Sequence, residues 1–199
     1  MTSNPTYRPA QLADSSDLAV LIDIAGEGLP AFLWRGLKAP GQSVLEFGRF
    51  RARRDEGGFS YRNGFVAEQD DETAGALIGY PLDAPYEIGD LEEVPEVLRP
   101  LVILESKAPG SWYVNVLATF PEFRSRGIGE GLLALAERQA KEAGTDNLSV
   151  IVGSWNHGAA RLYQRVGYAE TAREEACPPA EWSHRGDWIL MVKPLAEAA

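Results

Sequence analysis

The feature that most constrains the fold of this chain is a strand, a turn, a glycine-bearing loop and a helix that follow one another between residues 112 and 144. Aromatic and β-branched residues predict a strand over Trp112–Thr119. Pro121 ends that strand, because proline has no N–H to donate to a sheet. Gly144 suits the left-handed position after the last helical turn. One apolar stripe predicts the helix and consists of Ile128, Leu132, Leu135, Ala136 and Ala143.

The loop between this strand and this helix has the composition of an anion-binding site. The first N–H groups of a helix have no partner within the helix, and the helix dipole adds partial positive charge there. Gly127 and Gly129 lack a Cβ, so a bulky anion can approach the backbone closely. Arg124 and Arg126 add charges suited to phosphate oxygens. The loop therefore predicts a diphosphate site, with a solvated turn that uses glycine only for its geometry as the alternative.

Known phosphate motifs narrow the choice of ligand. A P-loop requires G-x-x-x-x-G-K-[ST], which the chain lacks. A dinucleotide fingerprint requires a third glycine at the position that Leu132 occupies. Residues 124–129 instead resemble the acetyl-CoA signature [QR]-x-x-G-x-[GA] of the GCN5-related N-acetyltransferase (GNAT) family. The preceding residues 117–123 are similar to the strand end and proline turn of that family.

A second motif of the same family follows in the expected order. Residues 156–168 resemble the pattern N-x-x-A-x-x-[LF]-Y-x-x-x-G-[FY], and they come after a β-branched run at 148–152 that predicts a buried strand. Asn156 is also a natural helix N-cap. Tyr163 lies on the apolar face of the predicted helix, where a tyrosine is ordinarily part of the core. Together the two motifs extend the resemblance over residues 112–168.

The resemblance implies a single α/β domain over residues 1–199 with an acetyl-CoA-binding core at about 111–168. It implies a mixed, mostly antiparallel sheet of about six to seven strands flanked by about four helices. That sheet would be splayed between the strands at 112–119 and 148–152, where the pantetheine arm of the cofactor would lie. The implied activity is direct transfer of an acetyl group from acetyl-CoA to a primary amine.

The resemblance also assigns roles to individual residues. Tyr163 would be the general acid that protonates the departing thiolate. Cofactor binding would fall to Leu117, Ala118, Thr119, Arg124, Ser125, Arg126, Gly127, Ile128, Gly129, Glu130 and Asn156.

The resemblance does not identify a general base in this chain. Some relatives carry a glutamate on the strand before the asparagine motif, where this chain has the apolar Ile151. A water chain, an acid elsewhere (Glu105, Glu87 or Glu27) or an acceptor that arrives neutral could take its place. The missing acid also motivates a second hypothesis, a catalytically idle acyl-CoA-binding sensor or interaction module on the same fold. A nucleotide-phosphate enzyme is disfavoured by the absent lysine and third glycine.

Composition limits the partners and the compartment. The net charge of −10 argues against nucleic acid and is compatible with a cationic amine, either a small molecule or a peptide. A single cysteine, Cys177, cannot form an internal disulfide, and one cysteine with two histidines argues against a metal site. No run of residues approaches the length of a membrane span. A reducing, cytoplasmic setting is therefore expected.

The remaining segments complete the expected domain. We expect an edge strand at residues 6–9, helices from Asp14 or Ser15 and from Ser43, a hairpin at 64–80 and a last strand at 188–192. The acidic segment 81–110 is expected to form one or two short helices over the sheet, at a lid or at an interface. A homodimer is a separate expectation. Residues 29–43 are expected to be a loop. By analogy with the family, the acceptor would be lined by Phe32, Trp34, Trp182 and His184.

Overall fold

The structure is a computed structural model that describes residues 3–195. It divides into two compact units, the first formed by Met1–Gly79 and Asn115–Ala134 and the second by Tyr80–Val114 and Leu135–Ala199. These divisions fall inside two strands and one helix. The single domain expected over 1–199 stays a prediction.

The described residues form a mixed, mostly antiparallel seven-stranded sheet, as the sequence predicts. Its strands lie in the order β1-β2-β3-β4-β5-β7-β6, and β4 pairs with β5 in parallel. This places β1 at an edge, the position expected for a short strand that contains Pro9. The strands are Thr6–Pro9 (β1), Gly64–Gln69 (β2), Glu72–Pro81 (β3), Trp112–Thr119 (β4), Asn147–Gly153 (β5), Ala169–Glu175 (β6) and Asp187–Pro194 (β7).

Six α-helices are present in the described part of the chain, more than the four or so expected from the resemblance. The additional elements lie in segments whose helical signal is interrupted by proline. The helices are Ser15–Ala25 (α1), Leu29–Leu37 (α2), Val44–Ala52 (α3), Arg99–Glu105 (α4), Ile128–Glu142 (α5) and His157–Arg165 (α6).

The expectation of a loop at residues 29–43 is wrong for its first part, which forms α2. Gly28 adopts a left-handed φ of 85° and Pro30 lies in the first turn of α2. Proline is tolerated there because the N–H it lacks would have no helical partner. Trp34 is 2% exposed and fixes the helix by packing over Gly48, where a Cβ would lie 2.3 Å from the indole ring.

The first unit has a core between its helices and its strands. Leu18, Leu21 and Ile22 are fully buried on one side of α1, at the spacing that the sequence predicts for a helix. They pack in one cluster with strand residues Val66, Ala76, Ile78, Val116 and Ala118. Burial of this face holds the end of β4 from one side.

The second unit is organised around β5, which pairs with both β4 and β7. The parallel pairing with β4 joins Trp112 to Leu148, Tyr113 to Ser149 and Val114 to Val150. In this unit the hydroxyl oxygens of Ser111 and Ser149 lie 2.6 Å apart in a buried hydrogen bond. Helix α4 packs against β5, β6 and β7, so the acidic segment that contains it lies over the sheet as predicted.

The close approach of β3 to β4 in the first unit generates a test of the fold. A Cβ on Gly75 would lie 2.6 Å from the carbonyl oxygen of Ala118, and backbone cannot yield as a side chain can. We expect Gly75→Ala to lower the free energy of unfolding by about 1–3 kcal/mol, measured by urea denaturation. Gly36→Ala is the control, because a Cβ on that helical residue meets no atom within 4 Å. We expect it to be neutral or stabilising by about 1 kcal/mol. Equal effects of the two changes would contradict this account.

Candidate functional site

The predicted anion-binding loop of the first unit has an unusual backbone. A short turn, Pro121–Phe123, follows β4, and α5 begins at Ile128. Between them Ser125 and Gly127 both adopt left-handed conformations, with φ of 60° and 80°. Left-handed residues in alternation with ordinary ones turn successive N–H groups toward a common point and form an anion-binding concavity. The loop is therefore shaped for an anion by its backbone.

The loop is open on the side where an anion would approach. Residues 124–127 are exposed, whereas Ile128 is 1% exposed and anchors the first turn of α5 in the core. A Cβ on Gly127 would meet no heavy atom within 4 Å. In the same turn, Gly131 lies so close to Tyr7 of β1 that a Cβ would overlap its hydroxyl. The residues present thus fit a diphosphate, with fixed amides around open space.

Arg126, one of the two predicted phosphate-binding arginines, also makes hydrogen bonds within the protein. Arg126 donates from Nη2 to the carbonyl oxygen of Glu122 at 2.8 Å and from Nη1 to Oε1 of Gln69 at 3.3 Å. Its guanidinium carbon also lies 5.2 Å from the centre of the Phe123 ring. Arg126 therefore braces the loop against β2. Arg124 is exposed at the mouth of the loop.

The predicted pantetheine contacts lie at the end of β4, directly before this loop. Ala118 is buried, and Leu117 and Thr119 are half-buried on the other face of the strand. The N–H of Phe120 donates to the carbonyl oxygen of Ala74 in β3 at 3.0 Å. The first unit therefore brings together every predicted cofactor-binding residue from Leu117 to Glu130 in one continuous strand, loop and helix.

The second unit contains the other predicted site residues, on α6. Oδ1 of Asn156 accepts a hydrogen bond from the N–H of Ala159 at 3.0 Å, so Asn156 is the N-cap that the sequence predicts. Its own N–H donates to the carbonyl oxygen of Gly153 at 2.8 Å. These bonds tie the start of α6 to the end of β5. A cofactor contact by Asn156 stays a prediction.

Tyr163 is buried on α6 beside a second tyrosine. It is 5% exposed, and its ring centre lies 5.6 Å from that of Tyr168. The hydroxyl of Tyr168 is buried without a hydrogen-bond partner in the described part of the chain. Burial raises the pKa of Tyr168 far above its ordinary value, and the nearby Tyr163 and Glu137 act in the same direction. The catalytic role of Tyr163 stays a prediction.

Two of the four residues predicted to line the acceptor lie together in the second unit. Trp182 and His184 form an aromatic cluster with Trp155 and Trp188, in which His184 stacks on Trp155 with ring centres 5.4 Å apart. Trp155 also covers Gly153, where a Cβ would lie 2.3 Å from the indole. Phe32 and Trp34 belong to α2 in the first unit, and Trp34 is a core residue there.

Another cluster in the second unit consists of a carboxylate and three tyrosines. The hydroxyl of Tyr86 donates to Oε2 of Glu105 at 2.7 Å. The rings of Tyr80 and Tyr113 meet edge to face, with centres 6.0 Å apart. Burial raises the pKa of Glu105, although the nearby phenols of Tyr86 and Tyr113 act against that shift. Sequence reasoning named Glu105 as one of three candidate bases and missed its tyrosine partners, because no motif or period connects them.

The other two candidate bases have different surroundings. Glu87 is exposed in the segment before α4. Glu27 follows α1 with a left-handed φ of 52°. No group of three or more histidine, cysteine or carboxylate side chains within residues 3–195 is placed to hold a metal ion. Over the same residues, every helix is too short or too polar to span a membrane.

Comparison with known proteins agrees with this architecture. A polyamine N-acetyltransferase structure from Drosophila melanogaster is 17% identical, has a TM-score of 0.70 and covers 96% of this chain and 100% of its own. An N-acetyltransferase from Staphylococcus aureus Mu50 is 19% identical, with a TM-score of 0.62 and coverage of 94% and 99%. The ribosomal-protein-S18-alanine N-acetyltransferase from Escherichia coli is 17% identical, with a TM-score of 0.59 and coverage of 98% and 97%. At these identities the likeness concerns the fold.

Sequence comparison identifies the family. No curated protein matches the chain. Residues 32–168 match the family described as "Acetyltransferase (GNAT) family", and this range contains the anion-binding loop, Asn156 and Tyr163. The chain therefore belongs to the GNAT family and is an acetyltransferase.

Proposed function

We propose that this protein transfers an acetyl group from acetyl-CoA to a primary amine, directly and without a covalent enzyme intermediate. The observation that carries the proposal is the open, left-handed loop at Ser125 and Gly127, which fits the diphosphate of coenzyme A. Family membership supports the choice of acetyl-CoA over other anionic ligands. The single exposed cysteine supports a reducing, cytoplasmic setting.

Cofactor binding would be shared by main-chain and side-chain groups. The amides from Ser125 to Glu130 would hold the diphosphate, with Arg124 adding charge at the mouth of the loop. Main-chain groups of Leu117, Ala118 and Thr119 would hold the pantetheine arm and the thioester. Asn156 would contact the same arm while it caps α6. Bound acetyl-CoA supplies the activated acetyl group.

Tyr163 would act as the general acid. A departing thiolate has a conjugate acid with a pKa of about 8.5, and a phenol has an ordinary pKa of about 10. Tyr163 would give its proton to the sulfur as the C–S bond breaks. Burial of the ring beside Tyr168 fixes its direction.

We propose a cationic amine as the acceptor. The segment from Pro81 to Glu105 carries one basic residue, Arg99, and its acidic residues attract cations. The Drosophila enzyme of similar fold forms N-acetylagmatine, and another structure of similar fold, with a TM-score of 0.67, is an agmatine N-acetyltransferase. Agmatine and polyamines therefore belong in a first acceptor panel. The acidic residues of the segment are Asp83, Glu87, Asp90, Glu92, Glu93, Glu96 and Glu105.

A matched pair of glycine changes tests acetyl-CoA binding. Gly127 and Gly41 have φ of 80° and 81°, and a Cβ on either meets no atom within 4 Å. Each change to alanine should lower the free energy of unfolding by about 1–2 kcal/mol, because left-handed backbone strains any residue with a Cβ. Only Gly127→Ala should weaken acetyl-CoA binding, by about tenfold (about 1.4 kcal/mol), in calorimetric titration. If the wild-type protein does not bind acetyl-CoA at millimolar concentration, the proposal is wrong.

A pair of tyrosine changes tests the acid. We expect Tyr163→Phe to lower kcat for thiol release from acetyl-CoA about 100-fold, because a general acid contributes that much or more. Tyr168→Phe is the control, since it removes a neighbouring hydroxyl that has no hydrogen-bond partner in the described residues. It should leave kcat and stability unchanged. An idle module, suggested by the apolar Ile151, would bind acetyl-CoA but release no thiol with any amine.

A further inference from the structure

The cluster of Glu105 with Tyr80, Tyr86 and Tyr113 is not used by the function proposed so far. Glu105 is the last residue of α4 and remains half-buried, with access to solvent. Tyr86 donates to it from the segment before α4, and the phenol of Tyr113 in β4 lies near enough to act against the rise in its pKa. Tyr80 of β3 packs edge to face on Tyr113. One hydrogen bond therefore orients the carboxylate, and two further tyrosines of the second unit surround it.

Within residues 3–195, no basic side chain forms an ion pair with this carboxylate. The two cations nearest in sequence are engaged elsewhere: Arg99 donates to the carbonyl oxygen of Val94 at 3.0 Å, and Lys107 pairs with Glu174 of β6. A carboxylate without a cationic partner can attract a cation from solution and can accept its proton. The exposed acids of the same segment strengthen that attraction.

The sheet register relates the surroundings of Glu105 to the position of Ile151 on β5. Tyr113 pairs with Ser149 of β5, and the Ser111–Ser149 hydrogen bond lies on the same face. Side chains two residues apart on a strand share a face, so Ile151 lies on this face as well. The side chain of Tyr113, which lies close to Glu105, and that of Ile151 are therefore on the same face of the sheet.

We propose that Glu105, oriented by Tyr86, is the base that takes the proton from the ammonium group of the acceptor. This inference rests on the acetyl transfer proposed above and names the residue that makes the amine reactive. The acceptor is therefore an alkylammonium compound that enters in its charged form.

The protons and bonds of this step balance. The acceptor R–NH3⁺ gives one proton to Glu105, which later releases it to water. The free lone pair forms the new C–N bond to the acetyl carbon as the C–S bond breaks, and the sulfur takes the proton of Tyr163. The second nitrogen proton then restores the phenol. The products are the neutral amide, coenzyme A with its thiol, and one proton in solution.

The physical chemistry of the cluster suits this task. Burial raises the pKa of Glu105, which strengthens it as a base, while the phenols of Tyr86 and Tyr113 favour its ionised form. The pKa values of both phenols are raised by burial and by Glu105 itself, so they stay protonated. A hydrogen-bonded brace that only holds residues 82–98 to α4 is the structural alternative. The two roles differ in their effect on the pH profile.

The decisive experiment compares Glu105→Gln with Glu56→Gln, an exposed acid outside the acidic segment. Thiol release is followed from pH 5 to pH 10 with agmatine, spermidine and a simple alkylamine. We expect Glu105→Gln to lower kcat about 100-fold at neutral pH and to leave KM for acetyl-CoA and the melting temperature unchanged. Glu56→Gln should match the wild type. If the kcat of Glu105→Gln equals that of the wild type, this inference is overturned, but the proposed function is not.

A second variant keeps the test valid if Glu105→Gln does not fold. Tyr86→Phe removes a hydrogen bond that lowers the pKa of Glu105. The acidic limb of kcat/KM should therefore move to higher pH, while the rate at the alkaline plateau stays close to that of the wild type. A loss of stability with an unmoved limb would assign the cluster a structural role and overturn the inference. If the wild-type protein binds acetyl-CoA but releases no thiol with any amine, the proposed function is overturned as well.

Discussion

The candidate site depends on one physical constraint, the left-handed backbone of Ser125 and Gly127 where β4 gives way to α5. A serine in this conformation costs about 1–3 kcal/mol and persists only where its surroundings over-determine it. Phe123 and Ile128, which are 6% and 1% exposed, fix the loop at both ends, and Arg126 braces it from the side. The amides are therefore oriented before any ligand arrives. An anion that binds them does not have to pay for ordering the loop.

Much of the fold could be predicted because its signals are local. The strand, proline turn, glycine loop and helix after Trp112 each depend on residues within a few positions of one another, and all four form. The segment after α1 could not be predicted in the same way. Gly28 and Pro30 end one helix and begin the next, and either outcome agrees with their intrinsic preferences. The burial of Trp34 against Gly48 favours the second helix, and that contact exists only in the folded chain.

The same distinction holds for the site residues: their local contacts could be predicted from the sequence, and their long-range contacts could not. Asn156 could be identified as an N-cap because the residue it caps is three positions away. The bracing role of Arg126 could not, since its partner Gln69 lies 57 residues away. The same holds for Glu105, whose donor Tyr86 is 19 residues distant and follows no helical or strand period. Contacts of this kind are set by how strands and loops meet, and composition gives no signal of them.

The second unit holds two titratable groups whose environments differ in the sense that acid and base chemistry requires. Tyr163 is a buried phenol in contact with another aromatic ring, whereas Glu105 is a half-buried carboxylate that receives a hydrogen bond in an acidic segment. A lysine or arginine beside Glu105 would lower its pKa and weaken it as a base. The engagement of Arg99 and Lys107 elsewhere is therefore as important to the proposed chemistry as the tyrosines. Separate environments of this kind would allow the proposed acid and the proposed base to work at the same pH.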